Sequence, residues 1–196
     1  MHVSEGTMHT QNAFLLRAAA QGLVDRNVTL VLSTGGTRDP ATIDLGVQGP
    51  NLRLERWVAH SDLLPHTDVL VTTGGAGTVM AALAAGVPQL IIPTEWDKPE
   101  NARRIVAAGV GLAIAPHRLT PIRLRRAVAR LIIDPEYRRN AERLRAVLAR
   151  NHGPLRAAEL LERLCIGAQA GQQLNPGFLT NSRQQWSVGG GVPWPE

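Results

Sequence analysis

Apolar positions fall along the chain in short runs separated by longer stretches with helical spacing. His2 to Ser4 reads as a first strand that ends at a Gly6-Thr7 turn. Ala13 to Leu23 is apolar at helical spacing, and Val28 to Leu32 is a β-branched strand followed by the loop Ser33-Thr34-Gly35-Gly36-Thr37. Asn51 to Val58 alternates, with Leu52, Leu54 and less strictly Trp57 against Arg53, Glu55 and Arg56. A turn through Asp62-Leu63-Leu64-Pro65 leads to the central strand, Asp68 to Val71. A helix from Thr78 to Ala85 stops at Gly86, and the next strand, Val87 to Pro93, is bracketed by prolines. Glu100 to Ala108 predicts a helix closing on Gly109, and Gly111 to Ile114 a last short strand. Pro121 to Leu164 is helical, broken at Asp134-Pro135 and Gly153-Pro154.

Alternating strands and helices predict an α/β fold: a Rossmann-like parallel sheet of six strands with helices on both faces. The expected domain spans residues 1–165. Residues 166–196, rich in Gly, Pro and Gln, read as a disordered tail, with Trp186 and Trp194 as a conceivable docking peptide. In such sheets ligands sit beyond the carboxyl ends of the strands, so the Gly6-Thr7 turn, the loop after Leu32, the turn after Val71 and the Pro93-to-Asp97 loop should share one crevice.

The turn after Val71 carries the chemistry. Thr72-Thr73-Gly74-Gly75-Ala76-Gly77-Thr78 joins a strand to an alanine-rich helix. Glycines bring bare N–H groups close to a ligand, and a helix N-terminus favours negative charge, so the turn can cradle a diphosphate. It can equally be a tight turn with no ligand. Thr78 can cap the helix or contact the ligand from its first turn.

Charge and cysteine narrow the class. The formal charge of +5 is nearly all arginine, and Lys98 is the single lysine. Arginines between Arg118 and Arg163 alternate with Glu136, Glu142, Glu159 and Glu162 and lack an aromatic stacking platform, so a solvated helix face is expected rather than a nucleic-acid surface. No apolar run approaches the roughly 20 residues of a membrane span. The first residues lack a basic-then-apolar leader, and Cys165 is alone, which together suggest a cytoplasmic setting. No cluster of His, Cys, Asp and Glu suggests a metal.

Trp57-Val58-Ala59-His60, Leu64-Pro65-His66-x-Asp68, Gly74-Gly75-Ala76-Gly77-Thr78, Gly86-Val87-Pro88, Pro93-x-x-x-Asp97-x-x-x-Asn101-Ala102 and Gly109-x-Gly111 occur in that order. Together they resemble the carboxy-terminal, donor-binding domain of GT-B glycosyltransferases, of the family-1 type that uses nucleoside-diphosphate sugars and includes bacterial natural-product enzymes. The likeness runs from about Val3 to Leu164.

The resemblance implies roles. Trp57 stacks on the nucleotide base, where the alternative is a core tryptophan at a strand end. Val58 pairs with the base edge through its backbone, and His60 stands where Gln or His is usual. Gly75, Ala76, Gly77 and Thr78 hold the diphosphate, with Gly74 in the same loop, and Gly6 and Thr7 lie near the phosphates. Asp97, beside Trp96, hydrogen-bonds sugar hydroxyls, where the alternative is a helix cap. Thr73 stands where the family has His, so its hydroxyl can donate to phosphate but carries no charge. Lys98 replaces the usual Gln and can bind a phosphate or a differently decorated sugar. Ala81 replaces the ribose-binding Glu of plant members, leaving uridine or thymidine nucleotides open.

The function implied is inverting, metal-independent transfer of a hexose from a UDP- or TDP-sugar to an acceptor hydroxyl of a natural product or lipid, with no cofactor. The amino-terminal acceptor domain, which holds the catalytic base, is missing from the sequence. The expected chain is therefore a donor-binding part, truncated or working with a separate acceptor domain or subunit, that binds donor but transfers sugar at no more than a trace rate. No residue of this chain is assigned as catalytic; were it active alone, His9 or His60 would be the base. The alternative is a non-catalytic nucleotide-sugar-binding module. A nicotinamide oxidoreductase is disfavoured because Gly75-x-Gly77 lacks the third glycine of the dinucleotide fingerprint.

Overall fold

The computed structural model describes residues 1–7, 12–36, 38–151 and 153–169. It divides into two units, Met1–Arg150 and Asn151–Glu196. The described part of the second unit is one helix, α7 (Gly153–Gln169). That helix runs past Cys165; residues 170–196, with Trp186 and Trp194, lie outside the described residues.

The first unit carries a six-stranded sheet, all parallel, in the order β3-β2-β1-β4-β5-β6. The strands are β1 (His2–Ser4), β2 (Leu30–Ser33), β3 (Leu52–Glu55), β4 (Leu70–Thr72), β5 (Gln89–Ile91) and β6 (Gly111–Ala113). Its helices are α1 (Phe14–Leu23), α2 (His60–Leu63), α3 (Ala76–Ala85), α4 (Lys98–Ala107), α5 (Pro121–Ile133) and α6 (Pro135–Arg150). This is the Rossmann-like architecture, with order reversing between β1 and β4.

Residues along a strand alternate faces, and the core follows that rule. Val71 and Leu90 join Val3, Leu32, Leu16, Leu124 and Val128 in the larger cluster, beneath α1 and α5. Ile91, the next residue on β5, packs with Val79, Ala102, Ile105 and Ala141 of α3, α4 and α6. Leu70 joins Leu64, Ala82 and Val87. Burial on both faces explains why these strands are continuously apolar rather than alternating.

Several boundaries differ from the sequence reading. Val28 donates to the Arg26 carbonyl in a turn, so β2 begins at Leu30. The expected turn at Asp62 to Pro65 opens as a helical turn already at His60. Helix α3 starts at Ala76, with Gly75 in the capping position, so Thr78 lies inside the helix and does not cap it. Helix α4 starts at Lys98 rather than Glu100 because Pro99, pre-set for a first turn, lets it begin there. Gly86, at φ 70, ends α3 as expected.

Two of the arginines assigned to solvation are structural instead. Arg125 donates from Nε to the Gly22 carbonyl at 2.7 Å, satisfying a carbonyl near the end of α1. Arg138 reaches the Gly86 carbonyl at 3.1 Å and the Asp68 carbonyl at 2.8 Å, tying the end of α3 to the approach of β4. Arg139 pairs with Glu136 on the surface, as a solvated face would.

Candidate functional site

Loops leaving the carboxyl ends of β1, β2 and β4 meet the segment after β3 and the loop after β5 around one pocket of about 570 Å³. The pocket sits where the order of the sheet reverses, between the β1 and β4 turns. Of the expected site residues, Gly6, Thr7, Trp57, Val58, His60, Thr73, Gly75, Ala76, Gly77, Thr78, Trp96, Asp97 and Lys98 line it. Gly74 does not.

Gly74 works behind the wall. Its φ of 94 is open to glycine, and a Cβ there would come within 2.7 Å of Ile91. Its N–H donates to the Thr72 hydroxyl and its carbonyl accepts from Asn101 Nδ2 at 2.9 Å, so neither group faces a ligand. Gly75 and Gly77 have nothing within 4 Å of a would-be Cβ and ordinary φ values. Their glycine character leaves the backbone bare rather than relieving strain.

The α3 N-terminus is the strongest anion-binding feature on this wall. Its first-turn amides, from Ala76, Gly77 and Thr78, have no acceptor within the helix, and among the described residues no side chain is seen to cap them. The helix dipole adds partial positive charge at the same place. In this structure the hydroxyl of Thr73, which also lines the pocket, donates to the Glu5 carbonyl at 3.1 Å. A buried hydroxyl has one proton, and here the β1 turn takes it.

Two tryptophans, from the segments after β3 and β5, also line the pocket. Trp57 is 65% exposed, so it is not the core tryptophan that its strand-end position allowed. Trp96, 62% exposed, has φ 61, an uncommon backbone region for a bulky residue. That conformation presents its ring to the pocket.

Asp97 stands at the capping position of α4, yet its carboxylate makes no capping bond. Asn101 Nδ2 donates to Asp97 Oδ2 at 2.8 Å and also to the Gly74 carbonyl at 2.9 Å. One amide group thus links the glycine loop to the acid. Asn101 appeared in the sequence only as a motif letter; its spacing of four from Asp97, one helical turn, was the signal for this contact.

Ser33 and Gly35 line the pocket from the loop after Leu32, as expected of that loop, whereas Ser4 and Glu5 were not foreseen. Glu5 is the most informative. Its carboxylate is buried, accepts the Leu15 N–H at 3.1 Å and meets Arg38 at 3.3 Å. Burial pushes its carboxyl above the usual range, against the pull of the α1 amides and Arg38. Its place directly after the first strand, at the turn into the crevice, was the readable signal. Gly35 touches the β1 turn so closely that a Cβ would lie 1.8 Å from the Gly6 carbonyl.

Beneath the pocket, His60 packs edge-on against the buried His2 ring at 5.4 Å. His2 bonds through Nδ1 to the Val31 carbonyl, and burial lowers its pKa to about 4. Burial also lowers that of His60. Both rings are therefore neutral near pH 7. His9 lies outside the described residues.

Among the described residues no group of three or more His, Cys, Asp or Glu could hold a metal ion, and no helix is long and apolar enough to cross a membrane.

Sheet order and a pocket at the point of reversal define an α/β domain of the Rossmann type. Residues 16–164 match the family model described as Erythromycin biosynthesis protein CIII-like, C-terminal domain, and the chain belongs to that family. It is 36% identical to 4'-demethylrebeccamycin synthase of Lentzea aerocolonigenes, over 84% of this chain and 38% of that protein. It is 34% identical to demethyllactenocin mycarosyltransferase of Streptomyces fradiae, over 83% and 35% respectively. The structure of CalG4, the calicheamicin glycosyltransferase, superimposes with a TM-score of 0.75 at 32% identity, covering 83% of this chain and 42% of that one. Glycosyltransferase VinC, solved in complex with DTDP, superimposes at 0.64 and 29% identity, covering 74% and 36%. The chain thus spans well under half the length of these relatives, and the part it spans is their carboxy-terminal GT-B domain.

Proposed function

We propose that this chain is the donor-binding part of an inverting glycosyltransferase that moves a hexose from a UDP- or TDP-sugar to an acceptor hydroxyl. The observation that carries this reading is that the bare N-terminus of α3 and an exposed tryptophan line one pocket. The diphosphate lies against the Ala76, Gly77 and Thr78 amides, which stabilise the charge that develops on the leaving group. Trp57 stacks on the base, and the Val58 backbone meets its edge. Gly6 and Thr7 flank the phosphates, while Trp96 and Asp97 face the sugar. A relative named as a mycarosyltransferase and a glycosyltransferase solved in complex with DTDP support the reaction and donor class.

Displacement at the anomeric carbon also needs a base on the acceptor hydroxyl. Glu5 is committed to α1 and Arg38, and His60 is packed on His2, so the reading assigns the base and the acceptor site to another domain or subunit. A soluble, cytoplasmic setting completes it, with residues 1–165 as the domain and 166–196 as its tail.

Calorimetric titration of the chain with UDP, dTDP and NAD tests the reading. UDP or dTDP should bind more tightly than NAD, and Trp57→Ala should weaken that binding by about 1–3 kcal/mol, the usual scale of base stacking. Equal affinity in wild type and variant would remove Trp57 from the base site. Retained binding with no transfer after an acceptor domain is supplied would favour a non-catalytic nucleotide-sugar sensor instead.

A further inference from the structure

The single lysine of the chain is buried in the pocket and, among the described residues, forms no ion pair. Lys98 is 7% exposed, and its ammonium donates to the Thr94 hydroxyl at 2.9 Å. The ring of Trp96 lies 5.9 Å away on the cation. Neither partner is an anion. Asp97, its neighbour in sequence, is bonded to Asn101 instead. Every other buried charge at this pocket has been matched: Glu5 has Arg38 and the Leu15 amide.

A buried ammonium without a counter-charge costs stability, and proteins keep one where a ligand supplies the missing charge. The surroundings hold Lys98 ready for that. Its Cβ packs behind Gly74, which fixes the stem, while Thr94 and the strained Trp96 fix the head.

We infer that Lys98 is a specificity-determining residue that receives an oxyanion of the donor, separately from the bare amides of α3. Two groups carry that chemistry: the terminal phosphate of the diphosphate, or a carboxylate on the transferred sugar. Either way the site prefers a donor with one more negative charge than α3 alone would select. The inference rests on the donor-site reading above.

Titration of the full chain with UMP, UDP, UDP-glucose and UDP-glucuronate tests it, in wild type, Lys98→Met and Lys98→Arg. Methionine keeps the length of the side chain and removes the charge. In Lys98→Met, the affinity gained on going from UMP to UDP, or from UDP-glucose to UDP-glucuronate, should fall by about tenfold or more. The first outcome assigns the phosphate, the second the sugar carboxylate. UMP affinity should not change, and Lys98→Arg should restore part of the affected step. Lys98→Met should melt at or above the wild-type temperature, since an uncompensated charge has been removed. Both steps unaltered would overturn the inference. So would one common loss across all four ligands with a lower melting temperature, which marks a structural lysine. Wild type that binds neither UDP nor dTDP would instead sink the donor-site reading, and this inference with it.

Discussion

Two helices begin at neighbouring strands of the sheet, α1 after β1 and α3 after β4, and their N-termini have opposite fates. The α1 end is filled from within: Glu5 places a carboxylate on the Leu15 amide and Arg38 backs it. At α3 no side chain among the described residues caps the helix, and its first residues line the pocket. The fold offers two equivalent anion sites at the point where its order reverses, and the sequence occupies one of them. What marks a ligand site here is therefore the missing cap, not the helix end.

The largest test exchanges those fates. Gly75 has ordinary backbone angles and open space around its missing Cβ, so Gly75→Asp fits without strain. An acid there caps α3, which should raise stability by about 1 kcal/mol. It should also weaken UDP or dTDP binding by roughly a hundredfold or more, about 3 kcal/mol. A more stable variant that still binds the diphosphate would place the ligand elsewhere.

A second test uses the groups buried beneath the filled end. His2 holds a proton up to about pH 4 in the folded chain and to 6.5 when unfolded. Between those values the unfolded state binds more protons, so stability falls as the pH drops from 6.5 to about 4. The depth is roughly 3 kcal/mol. Glu5 acts in the opposite sense: its raised pKa makes the fold lose stability as the pH rises through the carboxylate range. The stability difference between wild type and His2→Gln isolates the histidine. Measured by urea unfolding, that difference should shift by roughly 3 kcal/mol against wild type from pH 7 to pH 4. A constant difference would show that His2 titrates alike in both states.

The smallest effect empties the filled site. Glu5→Ala leaves the Leu15 amide and Arg38 without their acceptor, at a cost of about 2 kcal/mol. It also makes α1 resemble α3, so inorganic phosphate should bind with one more equivalent than in wild type. Unchanged phosphate stoichiometry would mean that the two helix ends differ by more than a cap.

Much of this was legible in advance, and the reasons are local. Short apolar runs between helical stretches marked the inner strands, which are buried on both faces, while the edge strand β3 was read from its alternation. Pro135, Pro154, Gly86 and Gly109 marked breaks and ends, since their backbone limits hold in any context. The lining was legible for the glycine turn, Trp57 and Asp97 because the resemblance spans them in order. What escaped depends on contacts between distant segments. Nothing near Glu5 says that its carboxylate reaches Leu15, or that Thr73 spends its proton on the Glu5 carbonyl. Arg125 and Arg138 read as solvated because their carbonyl partners lie over fifty residues away in sequence.

The parallel pairing of β1 with β4 joins His2 to Leu70 and Ser4 to Thr72, and the pocket straddles that seam. Closing so long a loop is entropically costly and comes late in folding relative to local helices. The binding site therefore has no partial form: neither the segment before the seam nor the one after it holds both walls. A donor that touches Trp57 and α3 together bridges segments that only the completed sheet brings near. Its binding energy adds directly to the stability of the whole fold. On the proposed reading, occupancy of the pocket and folding of the sheet are therefore one linked equilibrium.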